Sequence, residues 1–310
     1  PGFMRRFWFQ IFSIPVVIIK ARDCDLIHGT SYGGILPTYI ASKILKKPTV
    51  ITVHEFLGYS WKRILRSRFK VKIFFSIERF FARLSINKFV AVSEATRKSL
   101  INIGIHPRNS TLIYNGESNI IENISGNPTA LRNAFGFNKD DFVFASYGRI
   151  GLTKGINFLI DSIPEVLDKI PNSRFLLVFS EGDRKLTKYV KEGIDRLDSR
   201  RIKFFNGLNR QKLFEYLSIS NAIIIPSLTE GFGYTTLESC ALGKITIATS
   251  VGAIPEVIFG NHLLIKSGSS DDIIQGCLKA YDGEVIYREK PEFIWDLTIN
   301  KYLDLYKTLI

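Results

Sequence analysis

Short apolar runs recur along the chain, separated by longer segments in which apolar residues repeat every three or four positions. Runs rich in β-branched residues and bounded by turn residues are typical of buried strands, and the longer segments are typical of amphipathic helices. Strands that alternate with helices predict parallel sheets joined by right-handed crossovers, which is an α/β fold. The predicted strands are residues 26–28, 49–54, 88–93, 111–114, 142–147, 175–179, 202–205, 222–227 and 245–249. The predicted helices are residues 32–45, a basic segment ending at Leu84, and residues 94–103, 156–170, 186–197, 211–218 and 235–242.

A polar segment divides this pattern into two series. Serine, asparagine, glycine and proline cluster between Ser118 and Pro128, a composition that favours a linker. The 310 residues exceed one average domain and suggest two domains of about 150 residues. We therefore expect one domain at residues 1–118, a second at residues 119–290 and a C-terminal segment at residues 291–310.

The first apolar run of the chain extends from Ile11 to Ile19 and is closed by Lys20 and Arg22. It is shorter than the ~20 apolar residues that a membrane-spanning helix requires. We therefore expect a buried helix or strand here and no membrane anchor.

The three cysteines, Cys24, Cys240 and Cys277, are widely separated and odd in number. This spacing argues against a disulfide framework and against a zinc cluster. It favours a reducing, cytosolic setting.

The positive charge is concentrated in the first third of the chain. Residues 1–115 contain 19 Lys and Arg against 5 Asp and Glu, whereas the remainder contains 23 against 24. Within it, the stretch from Lys62 to Lys72 is basic and interleaved with aromatic residues. Such a stretch is typical either of a surface that contacts an anionic membrane or of a solvated helix face over an aromatic core. No recognition-module signature accompanies the charge, so nucleic acid is not an expected partner.

The stretch from Glu230 to Glu238 has the sequence E-G-F-G-Y-T-T-L-E and joins a predicted strand to a predicted helix. The absence of side chains at Gly231 and Gly233 would let a ligand approach the backbone, and the first turn of a helix attracts anions. The stretch therefore suggests a diphosphate site flanked by two carboxylates. Thr235 and Glu238 also fit a capping box, and Glu230 fits a solvated loop acid, so a purely structural interpretation stays open.

Two further sets of polar residues follow predicted strands. Arg149 and Lys154 follow one strand of the second series, where two cations would stabilise negative charge on a leaving nucleotide. Solvated loop cations are the alternative. His28 and His54 lie at strand ends in the first series, where histidines are often hydrogen-bonded structural groups.

Several segments resemble, in the same order, retaining glycosyltransferases of the GT-B fold with the E-x7-E signature, the group 1 or family-four type. They cover nearly the whole chain from Asp25. The segments are residues 47–54, 89–94, 113–116, 148–149 with 154–155, 226–227 with 230–233, 252–256 and 293–306.

The resemblance implies two Rossmann-like, doubly wound domains, with the donor bound mainly by the second domain and the acceptor by the first. It implies sugar transfer from a nucleoside diphosphate sugar with retention of configuration and without a metal ion or other cofactor. It implies that residues 291–310 form a helix that returns to the first domain. The implied catalytic residues are His54, Glu230, Arg149 and Lys154. The implied donor-binding residues are Arg149, Lys154, Glu181, Gly231, Phe232, Gly233, Tyr234 and Glu238, with Glu238 on the ribose and Glu181 near the base.

The chain departs from the family pattern at its start. No clear strand or Gly-rich loop precedes Asp25, so roughly 60–80 residues, about two βαβ units, are expected to be absent. The first domain is therefore expected to be incomplete, through truncation or reduction.

The sequence favours an enzyme that acts at the cytoplasmic face of a membrane and extends a saccharide or lipid-linked acceptor of the cell envelope. A non-catalytic protein that binds a nucleotide sugar or a membrane lipid is the main alternative. A nucleotide-sugar epimerase is a further one, although the E-x7-E arrangement is typical of the transferases.

Overall fold

The computed structural model describes residues 3–65, 67–117 and 127–310, without the side chains of residues 3–7. The chain divides into two compact units. The N-terminal unit comprises Pro1–Ser118 and Phe293–Ile310, and the C-terminal unit comprises Asn119–Glu292. Residues 118–126 of the predicted linker lie outside the described residues.

The N-terminal unit contains a four-stranded parallel sheet of order β1-β2-β3-β4. Every residue of its second strand is buried because helices cover both faces of a parallel sheet. Its strands are β1 (Ile27–Thr30), β2 (Thr49–Val53), β3 (Lys88–Ala91) and β4 (Ser110–Leu112). Its helices before the linker are α1 (Phe3–Lys20), α2 (Ile35–Leu45), α3 (Trp61–Ile64), α4 (Arg68–Ala82) and α5 (Glu94–Asn102).

Helix α1 corrects the prediction for the first apolar run. Residues 11–19 are helical, but only one side of the helix is packed: Val17 and Ile18 contact Ala41 of α2. Phe12 and Val16 stay exposed, because a helix that is apolar all round buries only the face that meets a neighbour. Among the described helices, none is long and apolar enough to cross a membrane.

The C-terminal unit contains a seven-stranded sheet of order β11-β10-β9-β8-β5-β6-β7, parallel except for β11. Its strands are β5 (Phe142–Arg149), β6 (Ser173–Ser180), β7 (Ile202–Asn206), β8 (Ala222–Ile225), β9 (Ile245–Thr249), β10 (Gly260–Ile265) and β11 (Ile286–Arg288). Its helices are α6 (Pro128–Ala134), α7 (Ile156–Lys169), α8 (Arg184–Asp195), α9 (Arg210–Leu217), α10 (Tyr234–Ala241), α11 (Ile254–Val257) and α12 (Ser270–Tyr281).

Each predicted strand and helix occurs in the structure, with ends shifted by a few residues. The α/β fold with parallel sheets in two Rossmann-like domains is therefore confirmed. The pattern missed α6, β10, α12 and β11. Strand β11 is three residues long and exposed at the sheet edge, so it shows neither an apolar run nor an alternation long enough to predict a strand.

Helix α13 (Trp295–Lys307) packs on the N-terminal unit. Leu305 joins Val50, Val90 and Ile113 in a core on the sheet face opposite α2, α4 and α5. Thr298 Oγ1 donates a hydrogen bond to the carbonyl of Tyr114 at 2.8 Å. These contacts give the sheet its second covered face.

Candidate functional site

Three loops at the carboxyl edge of the C-terminal sheet pack backbone against backbone. A Cβ on Gly155 would lie 2.0 Å from the Pro226 carbonyl oxygen, and a Cβ on Gly252 would lie 1.9 Å from that of Glu230. The amide of Leu228 donates to the Thr153 carbonyl at 2.7 Å. The loops that follow β5, β8 and β9 therefore form one cluster at the edge where ligands bind open α/β sheets.

Lys154 and Glu230, which belong to two of these loops, form an ion pair. The Lys154 Nζ lies 2.7 Å from Glu230 Oε2, and their side chains are 30% and 16% exposed. Ser227 Oγ donates to the same oxygen at 3.4 Å. The two residues are thus neither a solvated cation nor a solvated acid. An ammonium has three donors, so this one retains capacity for an anion beside the carboxylate.

Helix α10 places Glu238 differently from the expectation. The helix begins at Tyr234 with Gly233 as its N-cap, at φ +98°, so Thr235 is inside the helix and the capping-box interpretation is wrong. Glu238 is the fifth helical residue and lies in the second turn. Gly233 is needed at the cap because residues with a side chain rarely adopt this φ.

The carboxylate of Glu238 is buried and bound by two donors. Tyr147 Oη donates to Oε2 at 2.9 Å, and Arg210 Nη2 lies 3.0 Å from Oε1. Burial raises the pKa of Glu238 above its ordinary value, and the bonds from Tyr147 and Arg210 oppose that rise. The site thus holds a carboxylate that takes up a proton more readily than an exposed one.

Tyr147 and Arg210 are site residues that the sequence reasoning missed. Tyr147 lies near the end of β5, and its hydroxyl is also 3.0 Å from the Thr235 carbonyl, so the carboxylate and the carbonyl share one proton. Arg210 is the first residue of α9. A tyrosine directly before Gly148 and Arg149 was a usable signal, whereas nothing local to Arg210 indicated its partner.

The other residues of the Gly-rich loop have distinct surroundings. Gly231, Phe232 and Gly233 are buried, so here the glycines fit a close-packed turn. Tyr234 is exposed, with its ring 5.0 Å from the ring of Phe232 in an edge-to-face arrangement. Tyr234 is therefore the residue of this loop that presents an aromatic surface.

Arg149 and Glu181 lie on neighbouring strand ends without joining the Lys154–Glu230 pair directly. Arg149 is the last residue of β5 and is exposed. Glu181 follows β6 and binds Lys191 of α8 at 2.6 Å, a hydrogen bond that lowers the pKa of the carboxyl. Both side chains stay accessible at the edge of the loop cluster.

His54 belongs to the N-terminal unit and follows the last residue of β2, as the pattern predicts. It is exposed, but nearby atoms still exclude enough water from the ring to lower its pKa. His28 instead lies inside β1, so its predicted place at a strand end is wrong. Its ring nitrogens bond Tyr306 Oη at 2.6 Å and Thr52 Oγ1 at 2.8 Å, which ties α13 to the sheet.

The described residues offer no evident metal centre. Within that part of the chain, no three His, Cys, Asp or Glu side chains are grouped so that they could hold a metal ion.

Comparison with family models gives two matches that follow one another along the chain. The model described as "Glycosyl transferases group 1" matches residues 128–292, which is more than half of the chain. The model described as "Glycosyltransferase Family 4" matches residues 1–116.

Individual relatives and solved structures agree with these matches. The chain is 24% identical to the uncharacterized glycosyltransferase MJ1178 of Methanocaldococcus jannaschii, over 94% of this chain and 78% of that protein. It is 22% identical to the phosphatidylinositol N-acetylglucosaminyltransferase gpi3 subunit of Schizosaccharomyces pombe, over 86% of this chain and 55% of that protein. The structure of Anabaena HepE in complex with UDP and glucose aligns with a TM-score of 0.76 and 21% identity, over 96% of this chain and 81% of that chain.

Proposed function

Because the chain belongs to the glycosyl transferases group 1 family, we propose that it transfers a hexose from a nucleoside diphosphate sugar to a saccharide or lipid-linked acceptor. The observation that carries the proposal is the carboxylate and cation arrangement at one sheet edge, with Lys154 on Glu230 and Arg210 on Glu238. Cations suit a diphosphate, and carboxylates suit hydroxyl groups of a sugar and a ribose.

In the proposed reaction, the bond between the anomeric carbon and the diphosphate oxygen breaks, and the electron pair leaves with the diphosphate. Arg149 and Lys154 would stabilise the charge that develops there, an electrostatic contribution that needs no protein nucleophile. Glu230 would orient the sugar and Glu238 the ribose. The acceptor hydroxyl oxygen would bond to the same face of the carbon while its proton passes to the departing diphosphate, so that the configuration is retained and no metal ion takes part. The family resemblance puts His54 on the acceptor side of this reaction.

Two of the similar proteins guide the choice of substrates. The HepE structure is a complex with UDP and glucose, which makes UDP-glucose the first donor to test. The name of the gpi3 relative includes phosphatidylinositol, which favours a lipid acceptor at a membrane. We propose that the chain works at the cytoplasmic surface of a membrane in the synthesis of a cell-envelope polysaccharide or glycolipid.

The test is thermal stabilisation of the chain by UDP, GDP and ADP sugars. A donor at 100 times its Kd should add about 2.7 kcal/mol to the free energy of unfolding. Lys154→Gln should abolish the shift, whereas Lys169→Gln, which removes an exposed lysine paired with Glu165, should leave it unchanged. No shift with any nucleotide sugar would contradict the donor site. Stabilisation without transfer to any acceptor would favour a non-catalytic binding protein.

A further inference from the structure

Large apolar side chains stay exposed on two helices of the N-terminal unit. On α1 they include Trp8, Phe9 and Phe12, and on α4 they include Phe69, which is 72% exposed, and Ile73. Tyr59 is exposed in the segment between β2 and α3. Grouped exposed aromatic residues of this kind indicate an interaction surface.

Both helices contact loops at one edge of the N-terminal unit. The ring of Phe9 faces Gly33 in the loop that follows β1, where a Cβ would lie 3.6 Å away. The second half of α4 is fixed to the loop that follows β2, because Glu78 accepts from the amides of Leu57 and Gly58. Both contacts are at the carboxyl edge of the sheet, where His54 also lies.

The first half of α4 is not buried. The buried residues of the helix are Glu78 and Phe81, whereas Arg68, Phe69, Lys70, Lys72 and Ile73 are exposed. Arg68 precedes Glu78 by ten residues, so about 15 Å of helix separates its exposed start from the buried carboxylate. Phe69 and Ile73 are therefore carried on a helical segment that the described part of the unit leaves largely uncovered.

The charge of this segment has one sign. Between Glu55 and Glu94 the only acidic residue is Glu78. It is fully buried, with bonds from Tyr32 Oη, Trp61 Nε1 and two amides, so it offers no charge to the surface. The exposed cations around the apolar side chains are Lys62, Arg63, Arg68, Lys70 and Lys72.

We propose that residues 59–65 and 67–73, together with Trp8, Phe9 and Phe12 of α1, form a docking surface for an anionic lipid bilayer. Apolar side chains inserted among the acyl chains, with cations at the level of the headgroups, are the arrangement by which a helix lies on such a bilayer. The positive surface matches the negative charge of the lipid. If the chain has the proposed function, a lipid-linked acceptor in that bilayer would lie at the sheet edge that carries His54.

The first measurement is sedimentation of the chain with vesicles. With equal parts phosphatidylcholine and phosphatidylglycerol, binding should exceed that to phosphatidylcholine alone by about tenfold or more, and should weaken as salt screens the charges. Equal binding to both kinds of vesicle would overturn the proposal.

Two pairs of substitutions separate charge from insertion. Lys70→Gln with Lys72→Gln should reduce binding several-fold and flatten its salt dependence. Phe69→Ser with Ile73→Ser should reduce binding at every salt concentration. The matched control, Lys185→Gln with Lys188→Gln, removes two exposed cations from α8 and should change nothing. A control pair as damaging as the α4 pair would contradict the assignment of the surface.

The same variants distinguish failure of this inference from failure of the proposed function. Stabilisation by nucleotide sugars should be unchanged in both α4 pairs, because the proposed donor residues are in the other unit. If the chain does not bind vesicles but forms a dimer that Phe69→Ser disrupts, the surface is a protein interface and the bilayer proposal is wrong.

Discussion

Tyr147 is the residue on which the geometry of Glu238 most directly depends. It is half-buried near the end of β5, and its one hydroxyl proton is shared between Glu238 Oε2 and the carbonyl of Thr235. It therefore links the strand to helix α10 through the carboxylate proposed to hold the ribose. Phenylalanine would keep the ring and remove these bonds.

We expect Tyr147→Phe to weaken binding of the nucleotide sugar by about tenfold, since a hydrogen bond to a charged group contributes about 1.5 kcal/mol or more. Calorimetric titration with the donor identified by thermal stabilisation would measure this. Tyr189→Phe removes an exposed tyrosine that donates to Asp161 in the same unit and is the matched control. If Tyr147 had a purely structural role, Tyr147→Phe would lower the free energy of unfolding but leave the donor affinity of the folded protein unchanged.

The pH dependence of donor binding should identify Glu238. Burial raises the pKa of this carboxyl, so it becomes protonated at a higher pH than an exposed glutamate. If the ionised form holds the ribose, affinity should fall as the pH drops, with a midpoint above the ordinary glutamate value of about 4.3. Glu238→Gln should bind weakly with no such midpoint. A wild-type profile that stays flat down to pH 4 would rule out the role.

Protonation of His54 and His28 should lower the free energy of unfolding. Exclusion of water from the ring lowers the pKa of His54. The pKa of His28 is lowered first by the same effect and second by repulsion from His54. The folded chain thus binds these protons more weakly than the unfolded chain, so the free energy of unfolding falls as the pH drops from about 6.5 through the folded pKa values. His54→Gln should reduce this fall in urea titrations at pH 7.5 and pH 5. An identical fall in the variant would contradict it.

At the scale of elements, Glu78 holds α4 against the loop that follows β2. Its carboxylate accepts from Tyr32 Oη, Trp61 Nε1 and the amides of Leu57 and Gly58, and none of its surface is exposed. The loop that begins at His54 is therefore positioned by one side chain of a helix. Removing that side chain would leave several buried donors without an acceptor.

Glu78→Ala should cost about 3 kcal/mol or more, because each buried donor left unsatisfied costs about 1–3 kcal/mol. Hydrogen exchange at the amides of Leu57 and Gly58 should accelerate along with the loss of thermal stability. Glu78→Gln keeps an acceptor oxygen and should lose less. Unchanged exchange at these two amides in Glu78→Ala would show that the loop is held by other contacts.

At the scale of the whole molecule, the two units have different charge and, in the proposal, different ligands. The proposed donor residues belong to the C-terminal unit, whereas His54 and the basic docking surface belong to the N-terminal unit. A ligand that contacts one unit slows hydrogen exchange where it binds and leaves distant segments unchanged.

We expect a nucleotide sugar to slow exchange in residues 149–155 and 226–238, and anionic vesicles to slow it in residues 59–73. Mass spectrometry of peptides from both units would measure the two patterns in one experiment. Protection of residues 59–73 by the nucleotide sugar alone would contradict this division of roles.

Much of this organisation could be predicted from the sequence. Apolar runs such as 222–225 predicted their strands because a strand covered on both faces needs apolar residues at every position. The glycines between Glu230 and Glu238 predicted the turn and the helix cap, because both positions need residues without a side chain. The two carboxylates beside this turn suggested the candidate donor site. Family resemblance then suggested the roles of Lys154 and Arg149, which stay predictions.

Only the tertiary structure decided which side chains meet. Lys154 and Glu230 are 76 residues apart, and Tyr147 and Glu238 are 91 apart, so no local pattern records either pair. Burial of Glu78 and exposure of Phe69 on the same helix could not be predicted either, because both depend on what the rest of the fold brings against that helix. The sequence by itself determined the elements and the chemistry available to them, since periodicity and turn propensity are local. The partners, the burial and therefore the pKa directions came from contacts between distant segments, which only the folded chain creates.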